Sequence, residues 1–139
     1  MKKRTPVSAI ITVDVITLNH SDNLEVAASL FKKNNIRHIP VLSGEEIIGM
    51  LSDTDLLRIS FAGAIDEDED GIDTAVYNIF TIAQVMSKNL ISVTSNLTIK
   101  KVAEVLSKKE VHALPVVDDN KLVGIVTTTD LINYLIEQF

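Results

Sequence analysis

Apolar residues fall in short runs that alternate between strand-like and helix-like spacing, and the whole succession occurs twice. Val15–Leu18 is an apolar run of strand length, and Leu24, Ala27, Ala28, Leu30 and Phe31 then recur on one helical face. Ser21 and Asp22 stand where a helix cap is expected, with Glu25 in the first turn. Ile39–Leu42 and Ile47–Leu51 are apolar strands separated by Ser43-Gly44-Glu45-Glu46, a hairpin signal, and a helix opening near Thr54 closes the unit. The second succession predicts strands at Leu90–Val93, Ala113–Val117 and Leu122–Val126, with a turn at Asp118-Asp119-Asn120-Lys121. Its helices run near Thr98–Lys109 and Thr129–Gln138.

Residues 7–57 superpose on 82–132 without a gap, at an offset of 75. Ile36-Arg37-His38-Ile39-Pro40-Val41 stands against Val111-His112-Ala113-Leu114-Pro115-Val116. Gly49-Met50-Leu51-Ser52-Asp53-Thr54-Asp55-Leu56 stands against Gly124-Ile125-Val126-Thr127-Thr128-Thr129-Asp130-Leu131. The chain is therefore a duplication with an α+β fold, each repeat running β-α-β-β-α. A pseudo-two-fold relation is expected because neither copy buries its apolar face alone, and the seam between copies is the first place to expect a ligand. The expected bounds are 7–60 for the first repeat, 61–81 for a connector and 82–139 for the second repeat.

With 139 residues, 46% apolar and 4% aromatic, the chain has room for one aliphatic core and no unrelated second domain. It has no cysteine, which excludes disulfides, thiolate catalysis and cysteine-based zinc sites. The net charge of −6 belongs to the connector, where Asp66, Glu67, Asp68, Glu69, Asp70 and Asp73 stand without a base. The bases elsewhere are scattered rather than gathered on a face, which disfavours nucleic acid. Asp66-Glu67-Asp68-Glu69-Asp70-Gly71 matches the first half of a calcium loop, but the position of its bidentate glutamate is Tyr77, so a solvated, flexible connector is the better reading. His20, His38 and His112 share no spacing, which argues against a histidine metal site. Met1-Lys2-Lys3-Arg4 looks like the start of a signal peptide, yet Pro6, Ser8, Thr12 and Asp14 interrupt the apolar run that such a peptide needs. No run is long enough to span a bilayer, and a soluble cytoplasmic protein is expected. A nucleophile elbow and a phosphate-cradling glycine loop are both lacking, so enzymatic activity is not expected.

Ser52 and Thr127 each end an apolar strand and open a helix, so unpaired N–H groups and the positive end of the helix dipole meet in a corner suited to phosphate. Three residues on, Asp55 and Asp130 supply carboxylates suited to a ribose diol. Gly49 and Gly124 leave room for close approach. The same Ser/Thr-x-x-Asp tetrad is also a capping box. A single copy reads more readily as a cap, whereas two at equivalent places, each behind a glycine and an apolar strand, read as a site.

The apolar-Pro-Val strand, the hairpin and the Gly-apolar-apolar-(Ser/Thr)-x-Thr-Asp sequence resemble the CBS domain, and two in tandem resemble a CBS pair, or Bateman module. The resemblance implies a regulatory module that binds AMP, ADP, ATP or S-adenosylmethionine in clefts between repeats and forms disc-like homodimers through its helices. It implies that Asp55 and Asp130 take ribose hydroxyls and that Ser52, Thr54, Thr127 and Thr129 bond phosphate or ribose oxygens. The backbone around Arg37, His38, Ile39 and Pro40, and around His112, Ala113, Leu114 and Pro115, would receive adenine. The adenine nucleotide, AMP or ATP with or without Mg²⁺, is then a regulatory ligand, and no catalytic cofactor is implied. Arg37 and His112 occupy matching positions; an always-charged fork suits several phosphates better than an imidazole does. An unidentified effector protein would read the module's state, with the acidic connector as a segment to be ordered. Two other readings stand beside this one: a structural or dimerisation module with vestigial clefts, and an S-adenosylmethionine binder.

Overall fold

The computed structural model describes residues 4–63 and 79–139, the last four residues of the helix ending at Gly63 by their backbone alone. The acidic stretch of the connector and Tyr77 lie outside the described residues. The chain divides into two compact units, Ile16–Leu90 and Met1–Val15 together with Ile91–Phe139.

The first unit contains β1 (Leu18–Asn19), α1 (Leu24–Asn34), β2 (His38–Ser43), β3 (Glu46–Ser52), α2 (Asp53–Gly63) and the short helix α3 (Ile82–Val85). β1 runs parallel to β2, and β2 is antiparallel to β3. The strand expected at Val15–Leu18 is displaced to Leu18–Asn19, because only there do residues pair with Val41 and Leu42. Asn19 then turns the chain, its side chain accepting from the Ser21 N–H and hydroxyl while Asp22 accepts from the Asn19 N–H. Ser21 and Asp22 are thereby committed to the turn, and Asn23, not either of them, caps α1 by accepting from Val26 N–H at 2.9 Å. Leu24, Ala27 and Phe31 face a core of Leu18, Ile39, Val41, Leu51, Leu56, Ile82 and Met86. Each large aliphatic side chain buried there contributes about 2 kcal/mol of transfer free energy.

The second unit has a 3₁₀ turn (Val7–Ala9), α4 (Ile99–Lys109), β4 (Ala113–Asp118), β5 (Lys121–Thr127) and α5 (Thr128–Glu137). β4 and β5 form an antiparallel hairpin whose turn residues Asp119 and Asn120 both have positive φ, 50° and 64°, as a right-twisted two-residue turn requires. Each hairpin also carries one irregularity at the equivalent place, Val41/Leu42 and Val116/Val117. In place of the strand expected at Leu90–Val93 there is one parallel bridge from Val93 to Val116. The core is Val7, Val93, Val102, Leu106, Leu114, Val116 and Val126.

Each hairpin is completed by a segment from the far side of the duplication. Thr12 and Ile125 exchange backbone hydrogen bonds of 2.9 and 3.0 Å in the second unit, and Ser87 and Met50 do so at the same distances in the first. Val7 and Ile82, equivalent residues, are both fully buried. Gly49 and Gly124 make this possible. A Cβ on Gly124 would lie 2.7 Å from Ile11 Cδ1 and 2.8 Å from the Thr12 carbonyl oxygen, and one on Gly49 would fall on the Met86 thioether. The space at these glycines admits the incoming segment; it is not left for a ligand.

Candidate functional site

In the first repeat, β3 delivers Ser52 to the start of α2. Ser52 Oγ accepts from Asp55 N–H at 3.1 Å, and Asp55 Oδ2 accepts from Ser52 N–H at 2.9 Å. The second repeat does the same with Thr127 and Asp130, at 3.2 and 2.9 Å. The strand that opens each hairpin is drawn alongside: the Arg37 carbonyl accepts from Asp53 N–H and the His112 carbonyl from Thr128 N–H, both at 3.0 Å. His38 pairs with Ser52 and Ala113 with Thr127. Within each repeat, the residues expected to hold the base and those expected to hold ribose and phosphate are therefore neighbours.

Their side chains differ in availability. Ile39, Pro40, Leu114 and Pro115 are buried, so only their backbone can meet a ligand. Arg37, His112, Thr54 and Thr129 are exposed. Asp55 and Asp130 serve as caps through Oδ2, leaving Oδ1 of each to be accounted for. In the first repeat Arg58 donates to Asp55 Oδ1, and the Ser52 and Thr54 hydroxyls are 2.8 Å apart. In the second, Asp130 Oδ1 takes no hydrogen bond from the described residues. The (i, i+3) spacing of Asp55 and Arg58 on one helix is the sequence signal for this pair, and it lies just beyond the end of the repeated motif.

An open pocket of about 490 Å³ beside the second motif is lined by Leu106, Val111, His112, Thr128 and Leu131, among others. It reaches His112 and Thr128 but leaves Thr127, Thr129 and Asp130 outside its lining, and so lies between the helices rather than over the carboxylate. Elsewhere in this unit, Asp118 accepts from the Ser95 hydroxyl at 2.5 Å and the Ser95 N–H at 3.0 Å, which hold its carboxyl below the ordinary value of 3.8. Among the described residues, no group of three or more His, Asp or Glu side chains is placed to hold a metal ion. No helix among them is long and apolar enough to cross a membrane.

The model of the CBS domain matches twice, at residues 7–62 and 82–137. The chain belongs to the CBS domain family. The CBS domain-containing protein YhcV of Bacillus subtilis is 33% identical over 121 residues, covering 86% of this chain and 78% of that one. Protein MJ1225 of Methanocaldococcus jannaschii is 29% identical over 126 residues, 89% of this chain, which spans only 45% of that protein's length. Among solved structures, the CBS domain pair of protein MJ0100 in complex with 5′-methylthioadenosine and S-adenosyl-L-methionine superposes with a TM-score of 0.79. It is 26% identical, with 97% of this chain and 98% of that one covered. The mixed helix and strand architecture of this CBS pair is that of its structural relatives.

Proposed function

We propose that this CBS pair is a regulatory, non-catalytic module that binds adenine nucleotide, AMP, ADP or ATP, at the motif of each repeat. The observation that carries the reading is the twofold occurrence of one arrangement. Each repeat sets a carboxylate and hydroxyls at a helix start, hydrogen-bonded through the neighbouring N–H to the carbonyl of Arg37 or His112, just ahead of β2 or β4. A carboxylate Oδ1 accepts from ribose hydroxyls, hydroxyls and helix N–H groups take phosphate oxygens, and the Arg37 guanidinium adds a bidentate phosphate contact. Ligand binding at either motif shifts the population of states that a partner protein reads.

S-adenosylmethionine is the second reading, favoured by the ligands of the MJ0100 pair. It shares the adenosine and lacks the phosphates. Titration calorimetry with AMP, ATP, S-adenosylmethionine and adenosine separates the two: under the nucleotide reading, Arg37→Ala weakens ATP more than adenosine. Equal losses, or tight S-adenosylmethionine binding beside silent nucleotides, overturn it.

The module acts as a homodimer. Leu57, Ile132 and Ile136 are 65%, 56% and 64% exposed on α2 and α5, and Leu57 and Ile132 are equivalent in the duplication. Sedimentation velocity is expected to give a dimer that Ile132→Glu with Ile136→Glu converts to monomer; a monomeric wild type removes this part of the proposal.

A further inference from the structure

We infer that Arg58 competes with ligand for the Asp55 carboxylate, a competition that the second motif lacks. The inference rests on the nucleotide reading and concerns the ribose acceptor alone, apart from the phosphate contact of Arg37.

Asp55 and Asp130 are each left with one carboxylate oxygen after capping their helix. Oδ1 of Asp55 is already paired with the Arg58 guanidinium, and the neighbouring Ser52 and Thr54 hydroxyls are paired with one another. A ribose hydroxyl arriving there must displace a charge-assisted contact. The residue equivalent to Arg58 in the second repeat is Asn133, exposed and without a hydrogen bond to Asp130. Oδ1 of Asp130 therefore meets a ligand with no competitor among the described residues. Arg58 is itself 71% exposed, so its pair with Asp55 is a surface ion pair of modest strength. Such pairs are worth up to about 1 kcal/mol, which corresponds to an affinity penalty of about fivefold at most, not to closure of the site. Arg58 thus lowers the affinity of its own motif, and acts by competition.

The measurement is titration calorimetry with AMP on single-motif proteins, with circular dichroism establishing that each variant is folded. Asp55→Ala retains the Asp130 motif and Asp130→Ala retains the Asp55 motif; because Arg37 and His112 also differ in what they offer phosphate, the Arg58 effect is read from swaps within one motif and not from a comparison between the two. Adding Arg58→Asn to Asp130→Ala, which installs the residue the second repeat uses, is expected to strengthen binding by roughly two- to fivefold. Adding Asn133→Arg to Asp55→Ala is expected to weaken it by a similar factor. If both swaps leave affinity unchanged, or if Arg58→Asn weakens binding because Arg58 contacts phosphate, the inference is overturned while the nucleotide reading stands. Absence of AMP binding by the wild type and every variant overturns both together.

Discussion

Asp118 is held by Ser95 through two hydrogen bonds, and the consequence is a definite pH dependence. A carboxyl whose folded value lies below its unfolded one stabilises the fold above the unfolded value, and that contribution is lost as pH falls through the folded value. Asp118→Ala is therefore expected to be less stable than wild type at pH 7, with the difference shrinking only as pH falls below the ordinary value of 3.8 and on through the lower folded one, as measured by urea denaturation at several pH values. A constant difference across that range would contradict the assignment. The two hairpin glycines make a second test. Gly124→Ala drives a methyl group into the Thr12 carbonyl, which cannot give way without moving backbone, and is expected to cost about 1 to 3 kcal/mol. Gly49→Ala meets the flexible Met86 side chain first and is expected to cost less; the reverse order in thermal denaturation would refute the packing described. At this scale the sequence exposed the capping role of the motif residues. The use of the glycines for packing was not legible, because it depends on what stands opposite in three dimensions, and the Arg58–Asp55 pair, though carried by a local (i, i+3) spacing, lies past the end of the repeated motif.

The elements follow their sequence signals where the signal is local. Both hairpins, both repeat-closing helices and α4 lie within a residue or two of where periodicity places them. Differences arise where a distant partner or a competing local turn decides: the first strand of each repeat shrinks to the few residues that find a parallel neighbour, and Ser21 and Asp22 are claimed by the turn at Asn19. α1 and α4 end alike in a left-handed residue, Asn35 at φ 51° and Glu110 at φ 54°. Asparagine tolerates that conformation and glutamate does not, at a cost of about 1 to 2 kcal/mol that glycine avoids. Glycine gives back about 0.5 to 1 kcal/mol in chain entropy. Glu110→Gly is thus expected to stabilise the protein by roughly 0.5 to 1 kcal/mol and Asn35→Gly by less, read from urea denaturation midpoints. Destabilisation by Glu110→Gly would mean that its side chain holds a role beyond the cap.

At the scale of the whole molecule, the chain is a duplication in which each unit needs residues from the start of the opposite repeat: Val7 and Thr12 in one, Ile82 and Ser87 in the other. The 75-residue offset was legible in the sequence, since Gly, Pro and Asp recur in step. The exchange was not, because a single bridge such as Thr12 to Ile125 leaves no periodic signal. The same duplication makes the functional reading testable in one chain, since removing both carboxylates removes the ribose acceptors from both motifs and costs each helix only its cap, about 1 kcal/mol. The decisive measurement is thermal unfolding of the wild type and of Asp55→Ala with Asp130→Ala, each with and without saturating AMP. At about 100 times the dissociation constant the wild type is expected to gain roughly 2.7 kcal/mol per site, seen as a rise in Tm, while the folded double variant gains nothing. An equal rise in both proteins would show that these carboxylates are caps and not ligand groups, and the account of the site would fail.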